Sequence, residues 1–407
     1  MTGFGVTGAA MDTVMVLGGA GGVGRVAVKA LSLISDVEHV VVADLDEDAA
    51  SAVVSEVGSD KLEPTGVDVG DTAALVALLG DAQVVLNCVG PFYRFGPPIL
   101  EAALRAGVGY VDVCDDLDAT RALLDMGDAA REAGVTALIG MGNSPGLANI
   151  FVKLCAEDLL DEVTAADICH IHGGEPDEGA GVLKHRIHAM VNDVPLFIDG
   201  EFVDVRQLEP SGAAHTREID FAGVGSYPAY PYPHPETITL PTVFPTLRRA
   251  TNLGVVYPLS YFSMTQDLVR TGMALEDEIS VGDIKVAPID VAVALLRHER
   301  PRLLAEAGVT MPGGACGWTY QARWTESTTP TCSLSPPVVQ EPVREQGFPP
   351  RSVPRCTCVV RSAIVPVSTP RRPSCLWVSC WSSLVRWSVP WDSSVGPEAA
   401  TGTVVFR

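Results

Sequence analysis

The segment from residue 13 to residue 34 constrains this chain most, because a glycine-rich turn joins an apolar run to a helical stretch. Residues 13–17 predict a buried strand and residues 25–34 predict a helix. Between them, three glycines fit G-x-G-x-x-G, in which they permit a tight turn, a close approach of backbone to a pyrophosphate, and close helix–strand packing. The helix N-terminus adds free N–H groups for the anion. The motif predicts a dinucleotide site formed by Gly19, Gly21, Gly22, Val23 and Gly24.

The second predicted strand, residues 39–44, ends in Asp44, which follows Gly19 by 25 positions. A carboxylate at this spacing accepts hydrogen bonds from the adenosine ribose, a charge-assisted interaction of about 1.5–3 kcal/mol. The same carboxylate would repel a 2′-phosphate, and no Arg directly follows it. The sequence therefore predicts NAD or NADP as the cofactor and favours NAD. An ordinary strand-end or helix-capping aspartate is the alternative.

Further apolar runs at 62–67, 84–89, 110–114 and 136–139 alternate with helical segments. Near-continuous apolar strands that alternate with helices predict an α/β fold with a doubly wound, Rossmann-type parallel sheet. Ligands of such sheets bind beyond the carboxyl ends of the strands. Asp68, which follows the third run, is therefore predicted to contact the edge of the adenine, and a turn aspartate is an equally good interpretation.

Four segments, taken in order, resemble the saccharopine dehydrogenase-like oxidoreductases. They are residues 87–96 (NCVGPFYRFG), 109–116 (GYVDVCDD), 142–146 (GNSPG) and 185–193 (HRIHAMVND). The resemblance implies a Rossmann domain and a second α+β domain carrying an antiparallel sheet, with the substrate between them. Relatives oxidise or reduce a C–N bond that joins an amino acid or polyamine to a carbonyl-derived carbon.

The resemblance also implies roles for residues at the strand ends. Gly90 and Pro91 would shape the loop beside the nicotinamide ribose, although Pro91 could simply end a strand. Asp115 and Asp116 would face the substrate, unless they cap the helix that follows them. Asn143 is a further predicted substrate contact.

After residue 145 the pattern changes to that of a second domain. We predict a helix at 147–160, a strand at 166–172, a hairpin about residues 199 and 200, a loop at 227–241 and a helix at 289–304. His170 and His172 would share one face of their strand, but no Cys-x-x-Cys or His-x-x-x-His accompanies them. We therefore expect no metal.

Breaking a C–N bond by way of an imine requires a proton acceptor that works near neutral pH. Lys184, His185 and His188 are the candidates, and Lys184 and His188 would share a helix face at i, i+4. A solvated helix surface is the alternative for each. Arg94 and Arg186 are candidates for a bidentate bond to a substrate carboxylate, with an ordinary surface position as the alternative.

The net charge of −22 argues against binding to nucleic acids or anionic membranes. Residues 316–407 hold 5 acidic and 9 basic residues, all six Trp, and neither Lys nor His, unlike the acidic remainder. Read one base earlier, codons for this segment permit an alternating strand that ends in an Asp-Gly turn. We hypothesise that a one-base frameshift near residues 313–317 produced this composition, with a disordered tail as the alternative.

The predicted organisation is an N-terminal extension (1–12), a Rossmann domain (13–145), a substrate domain (146–315) and the anomalous tail (316–407). The predicted function is that of an NAD(P)-dependent oxidoreductase acting on a small-molecule substrate. A dinucleotide-binding protein without turnover, as a sensor or a frameshift-inactivated product, is the alternative. We expect a cytoplasmic protein, because the start lacks a basic signal region, and a homodimer is compatible with the sequence.

Overall fold

The computed structural model describes residues 11–154, 156, 162–176, 178–221 and 224–310, with residues 11 and 12 as backbone only. It also describes the backbone of strands at 313–323, 331–335, 355–356, 389–390 and 401–405. These residues form two compact units. The first unit contains residues 11–114 and 118–141, and the second contains residues 115–117 and the rest from residue 142 onward. The predicted domain boundaries remain predictions.

The first unit contains a six-stranded parallel sheet, as the alternation of apolar runs and helices predicted. Its strands are β1 (Met11–Leu17), β2 (Val37–Asp44), β3 (Leu62–Gly66), β4 (Val84–Asn87), β5 (Gly109–Asp112) and β6 (Ala137–Leu138). Its helices are α1 (Gly22–Ser32), α2 (Glu47–Val57), α3 (Thr72–Leu79), α4 (Phe92–Ala106), α5 (Leu117–Asp125) and α6 (Gly127–Ala133). The strand order β3-β2-β1-β4-β5-β6 is that of a Rossmann sheet.

Burial on both faces explains why the strands of this sheet are almost continuously apolar. Met15 and Leu17 of β1 pack into one apolar cluster, whereas Val14 and Val16 pack into another on the opposite face. Side chains alternate between the faces of a strand, so a strand covered on both sides needs apolar residues at every position. Helix α1 begins at Gly22 rather than at residue 25, because the helix already includes the last glycines of the turn.

The second unit contains a larger mixed sheet and the remaining helices. Its strands are β7 (Glu162–Gly173), β8 (Asp193–Ile198), β9 (Glu201–Arg206), β10 (Arg217–Phe221), β11 (Gly225–Pro231), β12 (Arg249–Tyr257), β13 (Ile279–Val281), β14 (Ile284–Val286), β15 (Gly313–Arg323), β16 (Thr331–Ser335), β17 (Arg355–Cys356), β18 (Val389–Pro390) and β19 (Thr401–Val405). Its helices are α7 (Leu147–Leu154), α8 (Ala180–Val191), α9 (Pro210–Ala213), α10 (Glu236–Val243), α11 (Leu259–Arg270) and α12 (Pro288–Glu306).

The sheet of the second unit confirms the predicted antiparallel sheet and adds two parallel pairs, β7–β12 and β16–β19. Along the order β10-β11-β12-β7-β15-β16-β19, strand β7 pairs parallel with β12 and antiparallel with β15. The hairpin β8–β9 lies beside β12. Asp199 and Gly200 join its two strands with φ of 55° and 87°, which confirms the predicted hairpin turn. Helices α8, α11 and α12 share an apolar cluster with the sheet strands.

The prediction of a loop at residues 227–241 was wrong. This segment forms most of β11 and most of α10. Proline disfavours a strand because it donates no hydrogen bond, but β11 contains two: Pro228 lies opposite Glu218 of β10, and Pro231 lies opposite Leu253 of β12. In α10, Pro235 stands just before the first helical residue, where a missing N–H has no cost, and Pro241 lies inside the helix.

Two other predictions concern residues that lie partly outside the described part of the structure. The helix predicted at 147–160 is described as far as Leu154, and residues 157–161 lie outside the described part. Strands β15 and β16 pair as an antiparallel hairpin, but the side chains of residues 316–407 lie outside the described residues. The frameshift hypothesis therefore stays a prediction. Within the described residues, no helix has the length and apolar character needed to span a membrane.

Candidate active site and dinucleotide site

The glycine-rich turn of the first unit requires glycine at two of the predicted positions. A Cβ on Gly24 would lie 2.0 Å from the carbonyl oxygen of Gly18, and a Cβ on Gly19 would lie 2.6 Å from Cγ1 of Val42. A Cβ on Gly22, in contrast, would have nothing within 4 Å. The glycines therefore allow close packing on one side of the turn and leave open space at the start of α1.

The N-terminus of α1 is available to an anion. Gly21 is its N-cap residue, no side chain caps it, and its first turn holds no acidic residue. Gly22 and Val23, the first helical residues, are exposed. Uncapped N–H groups and the positive end of the helix dipole together favour a phosphate at this point.

Asp44 is fixed against the same turn. Its Oδ2 accepts the backbone N–H of Ala20 over 2.9 Å, and the side chain is half-buried at the end of β2. The alternative role of helix cap belongs to a different residue, because the Asp46 carboxylate accepts the N–H of Ala49 at the start of α2. One edge of the Asp44 carboxylate is thus held by the turn whose backbone would contact the pyrophosphate.

The other predicted cofactor contacts lie at strand ends and are less specific. Asp68 is exposed and accepts the N–H of Gly70 over 2.8 Å, a turn-type bond that supports the alternative interpretation of this residue. Gly90 is exposed, and Pro91 is the N-cap residue of α4. The buried Asn87 accepts the N–H of Val89 over 2.9 Å and so holds the start of this loop.

The second unit places His185 between two carboxylates. Its Nδ1 makes a short hydrogen bond to Asp116, and its Nε2 lies 3.4 Å from Oδ2 of Asp115. The imidazole is buried, as is Asp116, whereas the Asp115 side chain is 37% exposed. Burial alone lowers the pKa of His185, but the two carboxylates and the bond to Asp116 outweigh it and raise the pKa to about 9. His185 therefore carries a proton at neutral pH.

Of the three predicted proton acceptors, His185 is the one whose contacts with these carboxylates are described. All three lie on α8, but the Lys184 ammonium pairs with Oδ1 of Asp290 over 2.6 Å at the protein surface. His188 shares the Lys184 face of the helix, as its spacing predicted, and is half-buried. Roles for Lys184 and His188 in proton transfer stay predictions.

Arg186 is buried, and its guanidinium already has a carboxylate of the protein. Its two terminal nitrogens donate to the two oxygens of Glu178, which also accepts bonds from Arg300 and Tyr261. Burial alone would raise the pKa of Glu178, but Arg186, with Arg300 adding to it, lowers that pKa to about 2. The predicted bond from Arg186 to a substrate carboxylate stays a prediction.

The remaining predicted substrate contacts are exposed. The guanidinium of Arg94 lies 5.4 Å from the centre of the Phe95 ring. The main-chain carbonyl of Asn143 accepts the N–H of Ala148 over 3.1 Å. Binding of substrate by Arg94 or Asn143 stays a prediction.

The sequence analysis did not identify a buried group of polar side chains beside His185. Rings of His170 and His234 stack with centres 4.9 Å apart, and Tyr232 packs edge-on against His234 at 5.0 Å. The group consists of Ser144, His170, Tyr232, His234, Glu236 and Asn252. Three of its members fall in the segment interpreted as a loop. The sequence His234-Pro-Glu236 between aromatic and proline residues was the available signal.

Glycine at position 254 makes room for one of these histidines. In the parallel pair β7–β12, Gly254 lies opposite His170. A Cβ on Gly254 would lie 2.3 Å from Nε2 of His170. The imidazole therefore occupies space that any side chain at position 254 would fill, and burial lowers the pKa of His170 to about 4.

Among the residues that the structure describes, two sets of ligand-type side chains are close enough together to hold a metal ion. In one, a carboxylate oxygen of Asp115 and one ring nitrogen each of His185 and His234 lie within 4.8 Å of one another. This spacing suits a bound ion, and equally the exchange of protons with one substrate atom. The other set contains Glu178, which already binds two arginines, so a cation there would face charge repulsion.

Comparison with known proteins found a matching family model and several related sequences. Residues 14–138 match the family model described as the saccharopine dehydrogenase NADP binding domain. The chain is 25% identical over 307 residues to carboxyaminopropylagmatine dehydrogenase of Synechocystis sp., a match that covers 73% of this chain and 74% of the relative. It is 28% identical over 255 residues to carboxynorspermidine synthase of Vibrio cholerae, covering 58% of this chain and 59% of that relative.

Among solved structures, the chain is similar to the apo form of saccharopine dehydrogenase (L-Glu forming) from Saccharomyces cerevisiae. The TM-score is 0.54 at 16% sequence identity, and the match covers 81% of this chain and 85% of the yeast chain. At this identity the similarity shows a shared fold.

Proposed function

We propose that this chain, which matches the saccharopine dehydrogenase NADP binding domain over residues 14–138, is an NAD(P)-dependent dehydrogenase of that family and acts on a secondary amine. The substrate that we propose is a carboxylated polyamine conjugate, the class to which the names of its relatives point. In the oxidative direction, the carbon beside the nitrogen gives a hydride to the dinucleotide. Water then hydrolyses the resulting imine to a carbonyl compound and a free amine.

The observation that carries this proposal is the open N-terminus of α1 beside a fixed carboxylate. The open space at Gly22 and the close packing at Gly24 fit a turn that contacts a pyrophosphate. The bond from Ala20 to Asp44 orients the carboxylate for the ribose. The dinucleotide would supply the hydride chemistry, and the protein has to bind it and move protons.

Asp44 supports a preference for NAD. A second negative charge on a 2′-phosphate would meet a carboxylate that the turn holds in place. The next residue, Leu45, is 76% exposed and offers no positive charge to offset that repulsion. We therefore propose that NAD binds more tightly than NADP, although the matching family model is described as NADP binding.

His185 is the proposed proton carrier of the second unit. Imine formation from a carbonyl compound and an amine releases water, and a proton donor must protonate the departing hydroxyl. An imidazolium held by Asp116 and facing Asp115 suits that task, because the two carboxylates stabilise its charge. In the hydrolytic direction the neutral ring would accept a proton from the attacking water.

The test is steady-state oxidation of carboxynorspermidine and carboxyaminopropylagmatine by the purified full chain, with formation of reduced dinucleotide as the readout. We expect turnover with at least one of them, and a higher kcat/KM for NAD than for NADP. Saturable dinucleotide binding without any turnover would instead support the alternative function of a binding protein. Absence of both would refute the proposal.

A further inference from the structure

A chain of hydrogen bonds in the second unit runs from His234 through Ser144 to Glu236. Oγ of Ser144 lies 3.2 Å from Nδ1 of His234 and donates a short hydrogen bond to Oε1 of Glu236. The amide nitrogen of Asn252 donates to the same Oγ over 3.1 Å. Glu236 and Asn252 are fully buried, His234 is 6% exposed, and Ser144 is half-buried. This series of hydrogen-bonded side chains is therefore shielded from bulk water over most of its length.

The contacts of Ser144 favour one position for the proton of His234. A serine hydroxyl has one proton to donate and two lone pairs to accept with. The proton goes to the Glu236 carboxylate, so the lone pairs accept from Asn252 and from His234. With this assignment His234 carries its proton on Nδ1, which also lies 3.4 Å from the amide nitrogen of Asn252, and the lone pair of Nε2 is available to a substrate. The neutral ring is oriented to act as a base through Nε2.

His234 and Glu236, at the two ends of this series of hydrogen bonds, differ in pKa. Burial, with His170 and His185 adding to it, lowers the pKa of His234 well below its usual range. Burial raises the pKa of Glu236 to about 7, although the bond from Ser144 opposes the rise. A proton taken up by the imidazole would therefore move on to the carboxylate rather than stay on the ring.

His234 also faces the group that the proposed function uses. One of its ring nitrogens lies within 4.8 Å of a ring nitrogen of His185 and a carboxylate oxygen of Asp115. A substrate nitrogen bound at this point would contact both histidines. One of them is charged and the other is neutral, an arrangement that suits one proton donor and one proton acceptor.

We propose that His234, Ser144 and Glu236 form a proton path that removes the proton from the substrate amine. The proposal rests on the proposed function, in which the secondary amine enters as an ammonium. Its N–H proton passes to Nε2 of His234, the Nδ1 proton passes to Oγ of Ser144, and the serine proton passes to Oε1 of Glu236. The nitrogen lone pair that this frees forms the C=N bond as the hydride leaves carbon. His234 is the catalytic residue, and Ser144 and Glu236 are positioning residues that act through it.

The kinetic test compares two substitutions at Ser144 in the full chain. Ser144→Ala breaks the path, whereas Ser144→Thr keeps a hydroxyl. With carboxynorspermidine and NAD, Ser144→Ala should lower kcat about 100-fold near neutral pH, in the range of lost acid–base catalysis, with little change in KM. The loss should shrink as pH rises and more amine enters unprotonated, and Ser144→Thr should stay close to the wild type. An unchanged kcat and pH profile in Ser144→Ala would overturn the proposal.

A second measurement needs no substrate and separates this proposal from the proposed function. Nitrogen-15 NMR of the histidine rings, assigned with His234→Gln, reports the tautomer of His234 in the resting protein. The proposal requires a proton on Nδ1 in the wild type and a changed signal in Ser144→Ala. A proton on Nε2 would overturn it whether or not the protein turns over. Absence of turnover with the expected tautomer would count against the proposed function alone.

Discussion

Replacing Asp116 with asparagine tests the electrostatic account of His185 most sharply. The substitution keeps the shape of the side chain and an oxygen that can accept from Nδ1, but it removes one of the two charges beside the ring. His185 should then lose much of its preference for the protonated form. If His185 supplies the proton for imine formation, kcat of the reductive reaction should begin to fall at a lower pH in Asp116→Asn than in the wild type.

The size of the effect follows from the pKa of His185. Its rise from 6.5 to about 9 is about 2.5 units, or roughly 3 kcal/mol in favour of the imidazolium. An opposite charge in direct contact shifts a pKa by about 1–3 units, so Asp116→Asn should lower this pKa by about 1–2 units. The group has a raised pKa, so its contribution to stability is complete below about 6.5 and is lost as pH rises through about 9.

The assay is the pH dependence of kcat for reductive condensation, together with direct titration of the His185 ring by NMR. We expect the alkaline limb of the rate profile and the ring titration to move to lower pH together. Asp125→Asn is the matched control, because Asp125 is an exposed carboxylate of the neighbouring helix. Coincident profiles for Asp116→Asn and the wild type would refute the assignment of His185 as the proton donor.

Three further predictions concern stability, the dinucleotide turn and metal ions. Glu178→Gln should destabilise the protein by about 3 kcal/mol near neutral pH, because the lowering of the Glu178 pKa from 4.5 to about 2 corresponds to that energy. Denaturant unfolding measures the loss. The exposed Glu209→Gln is the control and should cost under about 1 kcal/mol. That contribution is present above about pH 4.5 and should disappear as pH falls towards 2, so a pH-independent difference would contradict it. Gly24→Ala should abolish NADH binding in fluorescence titration, because its Cβ would lie 2.0 Å from the carbonyl oxygen of Gly18. Gly22→Ala should leave folding intact, because its Cβ would have nothing within 4 Å. Equal binding of NADH by the two variants would be inconsistent with the turn described. Dialysis against EDTA should leave kcat unchanged, and a loss restored by zinc would show instead that a metal is required.

The dinucleotide-binding fold was predictable from the sequence because its signals are local. Strand, turn and helix follow one another within about 20 residues, and each glycine has a steric reason that the motif already states. Asp44 was found for the same reason, since its spacing from Gly19 reflects a single β-α-β unit. The hairpin at Asp199 and Gly200 was equally local, because two residues with positive φ define its turn.

The buried polar group of the second unit was only partly predictable, because it depends on contacts between distant segments. His185 was selected, but its partner Asp116 lies 69 residues away, and nothing in the spacing indicated the pairing. Ser144 and Glu236 are 92 residues apart. Glu236 was missed because prolines were taken to exclude regular structure, whereas Pro235 stands where a helix begins. Lys184 was a plausible alternative to His185, and only the fold shows that it pairs with Asp290.

Calorimetric titration of the purified full chain with NADH and with NADPH tests the central claim most directly, because both the family assignment and the proposed chemistry require a bound dinucleotide. We predict one saturable site, tighter binding of NADH than of NADPH, and loss of that preference in Asp44→Asn. Failure of the wild-type protein to bind either dinucleotide would contradict the assignment of the glycine turn, and with it the proposed dehydrogenase.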